Sequence, residues 1–355
     1  MNLQGFIMKK ISLICCLLPV AAFAETEAQI ELNNAIEIVR MQCRGISARM
    51  EGVKKMAGVG TAVNVIGTAT GVGGVASGVV KYNKDVDTIK GIKDKSELDS
   101  LIAELKRTKE SLSENQDLLQ RAKTIDPNIE TNLQKLANDL AEEEKLEQQQ
   151  QILEQSSADL QKEIDKSQQE SIKSGNIRTG LFATDTAANV AGAVVSANTV
   201  VDKDFVEQIK LCAQSMDKLR DARTRVKIEE GLGSAPALME RSQKILEKCS
   251  EYEYVNVQQL NSLAKGAMIS NSVGAATGAA ATITSVLGNN KKVTDIKKAN
   301  DEKAAKEYNA MNFSSNVLGG VTAAASLSGT VLNASQIKTA KQILSIAEEC
   351  EGALQ

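Results

Sequence analysis

GVGTAVNVIGTATGVGGVASGVV, residues 58–80, contains seven glycines and no charge, and it runs straight into KYNKDVDTIK at 81–90. A second stretch repeats the plan: GAMISNSVGAATGAAATITSVLG at 266–288, then NNKKVTDIKK at 289–298. Cys43 precedes the first stretch and Cys249 the second. Each is answered by a returning small-residue run, 186–201 before Cys212 and 308–337 before Cys350. The pattern of cysteine, small-rich limb, turn, small-rich limb, cysteine thus occurs twice, as expected of a duplicated helical hairpin.

Turn residues lie where that plan needs them. Halfway between Cys43 and Cys212 stands Asp126-Pro127, a helix N-cap followed by proline at the first helical position. Asn300 lies halfway between Cys249 and Cys350, with Asn289-Asn290 as a competing turn. Gly231, Gly233 and Pro236 break the chain between Cys212 and Cys249. Residues equidistant from the turn of an antiparallel hairpin share one height, so all four cysteines fall on one level. The duplication favours the bridges Cys43–Cys212 and Cys249–Cys350. Spacing by itself leaves Cys212–Cys249 with Cys43–Cys350 open.

The resulting expectation is an all-α chain of long hairpins running up, down, up, down. Residues 25–93 with 162–230 form the first hairpin's share of a four-helix, small-residue body, and 231–355 form the second, shorter hairpin. Residues 94–161 extend beyond it as a projecting antiparallel coiled-coil arm. Its seams are Leu98, Leu101, Leu105, Leu112, Leu119 and Ala122 outgoing, and Ile129, Leu133, Leu136, Leu140, Leu153, Leu160 and Ile164 returning.

Glycine costs roughly 1 kcal/mol against alanine inside a helix, so its accumulation calls for compensation. Gly67-x-x-x-Gly71, Gly74-x-x-x-Gly78 and Gly274-x-x-x-Gly278 present small faces that permit close backbone approach, in lipid or in water. A run of this length is long enough to span a bilayer. Against insertion stand nine polar residues in the third run, from Ser270 to Asn290, and a scarcity of large apolar side chains. That balance favours a water-soluble four-helix layer over constitutive transmembrane helices.

Residues 1–24 read as a secretory signal: Lys9 and Lys10, an apolar stretch from Ile11 to Val20, and Ala22-Phe23-Ala24 before Glu25. Cys15 and Cys16 leave with it, and the net charge moves from −3 to −5. The four remaining cysteines form no CxxC pair, and an even number in an exported chain points to structural disulfides.

Composition excludes several activities. Aromatics are 3% of the chain, and there is no Trp and no His. The usual general base and the commonest metal ligand are therefore missing. With 42 basic and 45 acidic residues, the chain lacks an electrostatic footprint for nucleic acid. The glycines of 58–78 are followed by no GKS or GKT, so they form no phosphate loop. The expectation is no enzyme, no metal and no cofactor.

Long helices with apolar hairpins resemble helical pore-forming toxins and secretion translocators. The resemblance covers layout and composition and includes no motif. Two functions follow as expectations. The first is an exported, envelope-associated scaffold or adaptor that presents the arm to a helical protein partner or to another copy. The alternative is a protein that inserts its Gly/Ala-rich hairpins into a membrane.

Overall fold

The computed structural model describes residues 25–125, 130–231, 234–290 and 302–355. The signal segment 1–24 and the turn residues Asp126, Pro127, Gly233 and Asn300 lie outside the described residues. Among the described residues seven α-helices follow one another: α1 Glu27–Cys43, α2 Ile46–Ile125, α3 Glu130–Asn198, α4 Lys203–Glu230, α5 Pro236–Cys249, α6 Val257–Asn290 and α7 Glu302–Leu354. A 3₁₀ turn, Ser250–Tyr254, joins α5 toward α6. No strand occurs among the described residues, and the fold is all-α.

Contacts divide the chain into two compact units. One comprises the described part of Met1–Gly58 with Asn198–Ala264 and Ala334–Gln355; the other is Val59–Ala197 with Lys265–Asn333. This partition differs from a division by hairpin and arm. The cysteine ends of both hairpins group together, and the small-residue limbs group with the arm. The reason is side-chain chemistry, because the two units are filled by different materials.

The first unit has an aliphatic core. α4 buries Phe205, Ile209, Cys212, Met216, Leu219, Ala222 and Val226, a seam of three- and four-residue steps. α1 answers with Leu32, Ala35, Ile36, Val39 and Cys43, and Ile245, Leu260, Ile343 and Ala347 complete the cluster. The structure pairs Cys43 with Cys212 at 2.05 Å and Cys249 with Cys350 at 2.08 Å, all four sulfurs within this core.

The limbs are interrupted here. α1 ends at Cys43, Gly45 just beyond it has a φ of +82° that suits a residue without Cβ, and α2 starts afresh. Glu351 closes that break: its carboxylate accepts from the Gly45 and Ser47 amides and from the Ser47 hydroxyl. Asp202 caps α4 through the Phe205 amide at 2.7 Å. Gly231, at φ +87°, terminates α4, and Pro236 opens α5. A distant side chain, Glu351, thus caps the start of α2, whereas α4 is capped by its own preceding residue.

In the second unit the antiparallel pairings are read from hydrogen bonds. Lys109 of α2 reaches Glu147 of α3 at 2.6 Å, and Ser157 of α3 donates to Asp99 of α2 at 2.7 Å. Thr277 of α6 meets Thr322 of α7 at 3.0 Å. α3 and α7 run parallel across the diagonal: Asn189 donates to Ser326, and Ser196 donates to Asn333. The arm seam is corrected by one residue. Leu101 points outward, 54% exposed, and Ile102 is buried instead, facing a return limb that buries Ser157 and Ile164. Leu98 and Leu105 flank Ile102 at heptad spacing, half-buried, which leaves Leu101 off the stripe. Positions 112 and 115–144 of the two seams lie outside the described side chains.

Candidate functional site

Between the four small-residue limbs the second unit holds polar side chains where a water-soluble bundle holds leucines. Asn64, Asp185, Asn189, Ser196, Asn271, Ser285, Ser315, Ser326, Asn333 and Arg178 are all fully buried. Phe182 is the large apolar side chain of this interior; the remaining apolar contribution is alanine, such as Ala281 and Ala323.

Each layer of this column couples a polar group on one helix to glycine on another. A Cβ built on Gly60 would meet the Asn333 amide at 2.7 Å. The Asn64 and Asn271 amides lie side by side between Gly192 and Gly329, in space that a side chain at either glycine would need. Asn189 occupies the space above Gly274, Asn316 that above Gly78, and Asn289 that above Gly175. Gly74 and Gly319 flank the Phe182 ring. Gly67 and Gly71 lie beneath the Asp185 carboxylate, and Gly278 faces Thr186 and Thr322. Close backbone approach, the role expected of all six motif glycines, holds at Gly71 against the Ala323 Cα and at Gly278 against the Thr186 Cα. At Gly74, Gly78 and Gly274 the glycine instead makes room for a facing side chain.

Two charged centres punctuate the column. Arg178 donates from Nε to Ser285 at 2.9 Å and from Nη2 to Asn312 at 2.9 Å. Asp185 accepts at Oδ1 from Asn189 at 2.9 Å and from the Ser326 hydroxyl at 3.0 Å. Just beyond the small-residue run of α2, Lys81 bonds Asp85 at 2.9 Å and Ser171 at 3.1 Å, and the Ser171 hydroxyl donates back to Asp85. All three are buried, so the first charged turn after the run folds inward rather than toward solvent.

The outside is the complement of the inside. Val65, Ile66, Val72 and Val79 of α2, Val190 and Val194 of α3, Ile269, Val273 and Ile283 of α6, and Val317, Val321 and Val331 of α7 are all exposed. Exposed apolar patches of this extent are uncommon on soluble monomers and mark surfaces that contact something apolar. The stretches Glu27–Ser111 and Ala310–Leu354 each contain a segment long and apolar enough to cross a membrane, and only 28% and 39% of those segments are buried. A core helix of a soluble protein passes the same composition test by being buried. These segments are not.

The hydroxyls that argued against lipid are bonded within the protein. Ser272 donates to the Met268 carbonyl at 2.8 Å, Thr277 to Val273 at 2.9 Å, Thr282 to Gly278 at 2.9 Å and Thr284 to Ala280 at 2.9 Å. Ser270 donates across to Ala325. Asn271, Ser285 and Asn289 face the interior. Thr70, Thr184 and Ser328 make the same bond to the carbonyl four residues back. A hydroxyl bonded in this way presents its carbon atoms outward and needs no water.

Sequence reading singled out the glycines but missed the asparagines that fill them. A signal was present: Asn64, Asn189, Asn271 and Asn333 are among the amides within otherwise small, uncharged runs, where helix propensity disfavours them. No protein-family model matches the chain, and no curated protein and no solved structure matches it either.

Proposed function

We propose that this is an exported, non-enzymatic protein that places its small-residue four-helix bundle in a membrane. One observation carries the reading: the bundle is polar inside and apolar outside, with outward hydroxyls bonded to their own helices. In water that arrangement exposes aliphatic side chains and buries amides, both unfavourable. In lipid both terms change sign. The run 59–80 would rise about 33 Å as a helix, against a hydrocarbon thickness of about 30 Å. Export is supported by the paired cysteines, which persist in oxidising compartments.

The test is flotation and leakage with lipid vesicles, using residues 25–355. The expected result is co-flotation, with protection of 59–80 and 310–337 from added protease. Val72→Lys with Val321→Lys places charge on the outer face and leaves the interior untouched. That variant should keep its helicity and lose flotation. Failure of the unmodified protein to float would overturn the proposal.

The arm supports a second reading, presentation to a helical partner. Leu101 and Ile152 are exposed at 54% and 64%. They stand on opposite limbs about one helical turn apart in height, because Lys106 pairs with Glu154 and Asp99 with Ser157. Two apolar anchors a turn apart suit a helix laid against the arm. Leu101→Asp with Ile152→Asp should abolish partner capture while leaving the disulfides and helicity intact.

A further inference from the structure

We propose that Asp185 binds a monovalent alkali cation in the interior of the bundle. Asp185 is the single charged residue across four limbs: 56–80, 179–201, 266–290 and 308–337 contain no other. It is completely buried. Its Oδ1 receives the Asn189 amide and the Ser326 hydroxyl, both neutral donors, while Oδ2 has no hydrogen-bond partner. The side chains and backbone against it are Gly67 and Gly71 of α2, Ala323 and Ser326 of α7 and Asn189 on its own helix. None carries positive charge. The nearest charged residue along α3 is Arg178, two helical turns away and engaged by Ser285, Asn289 and Asn312.

A buried carboxylate without a counter-charge is among the most unfavourable arrangements in a protein. The surrounding unpartnered groups indicate what completes it. Asp185 Oδ2 and Asn189 Oδ1, one turn apart on α3, are acceptors without donors beside the Ser326 hydroxyl. The Asn189 orientation follows from its Nδ2, which serves Asp185 and Ser326 together. Oxygen-rich surroundings with excess acceptors suit a hard cation. Among the described residues no three Cys, Asp or Glu gather to hold a metal ion, and one carboxylate balances one positive charge. Sodium or potassium therefore fits this site better than calcium or magnesium. Glycine at 67 and 71 keeps α2 clear of the carboxylate, which a Cβ at Gly71 would strike.

The site lies within one compact unit and does not depend on the membrane reading, so its test can be run on detergent-solubilised protein. Thermal unfolding is followed by helical circular dichroism at pH 8 in sodium, potassium or choline chloride at equal ionic strength. Preferential binding to the folded state should raise the midpoint in sodium or potassium by about 2–4 °C over choline. Asp185→Asn keeps the shape and removes the charge. Its midpoint should be the same in all three salts. Equal midpoints for the unmodified protein would overturn the proposal even if the variant failed to fold. Retained alkali dependence in Asp185→Asn would overturn it as well.

Discussion

Asn316 of α7 occupies the space that a side chain on Gly78 of α2 would need: a Cβ built there falls within the amide group. Similar pairs of Asn333 with Gly60 and Asn189 with Gly274 repeat this relationship along the bundle. The glycines lose helix propensity and the asparagines are buried or half-buried, so neither choice makes sense without the other. Together they set the register of the helices.

Gly78→Ala should therefore lower stability by about 1–3 kcal/mol through overpacking, despite alanine's better propensity. Adding Asn316→Ala removes the collision and should recover most of that loss. Gly180 and Gly320 have open space at the Cβ position, so alanine there should stabilise by about 0.5–1 kcal/mol. Thermal unfolding of the four variants checks all of this in one series.

Replacing Lys81 alone leaves Asp85 buried without its cation. Lys81→Met should destabilise by about 3–5 kcal/mol, whereas Lys81→Met with Asp85→Leu should regain most of it. A denaturant series on the single and double variants measures the difference. Equal losses in both would show that the Ser171 hydroxyl alone sustains the carboxylate.

The two bridges close separations of 169 and 101 residues within one aliphatic core. Cys43→Ala with Cys212→Ala should lower stability by about 2–5 kcal/mol, and the same holds for Cys249 with Cys350. Non-reducing peptide mapping of the unmodified protein should recover those two cross-links.

Tyr252 is buried with its hydroxyl unpartnered, and burial first, then the nearby negative charge of Glu351, pushes its phenol above the usual tyrosine range. Near neutral pH both folded and unfolded forms keep the proton. Above about pH 10 the unfolded chain ionises while the folded one does not, so the unfolded state binds fewer protons and stability falls as pH rises. Tyr252→Phe should reduce that alkaline loss and change little at pH 7, because no hydrogen bond is removed. Unfolding midpoints at pH 7, 9, 10 and 11 for both proteins check the sign.

Helix content, the hairpin plan and the grouping of cysteines were legible because they follow from local periodicity, turn residues and distance along a rod. Composition also located the small-residue limbs. Which face of those limbs turns inward was not legible. In a run of Gly, Ala, Val, Ser, Thr and Asn neither a leucine stripe nor a charged stripe marks the faces, so periodicity has little to act on. Leu101 against Ile102 shows the same limit on a smaller scale, because adjacent apolar residues leave the seam undetermined until both limbs are placed. Ser272 and Thr284 counted as polar in the sequence, yet their hydroxyls bond to their own helix backbone. Asn64 and Asn271 lie between glycines of α3 and α7. Which faces meet depends on residues far apart along the chain coming to one height. Local chemistry determined the helices; only packing decided that this bundle would carry its polarity inside.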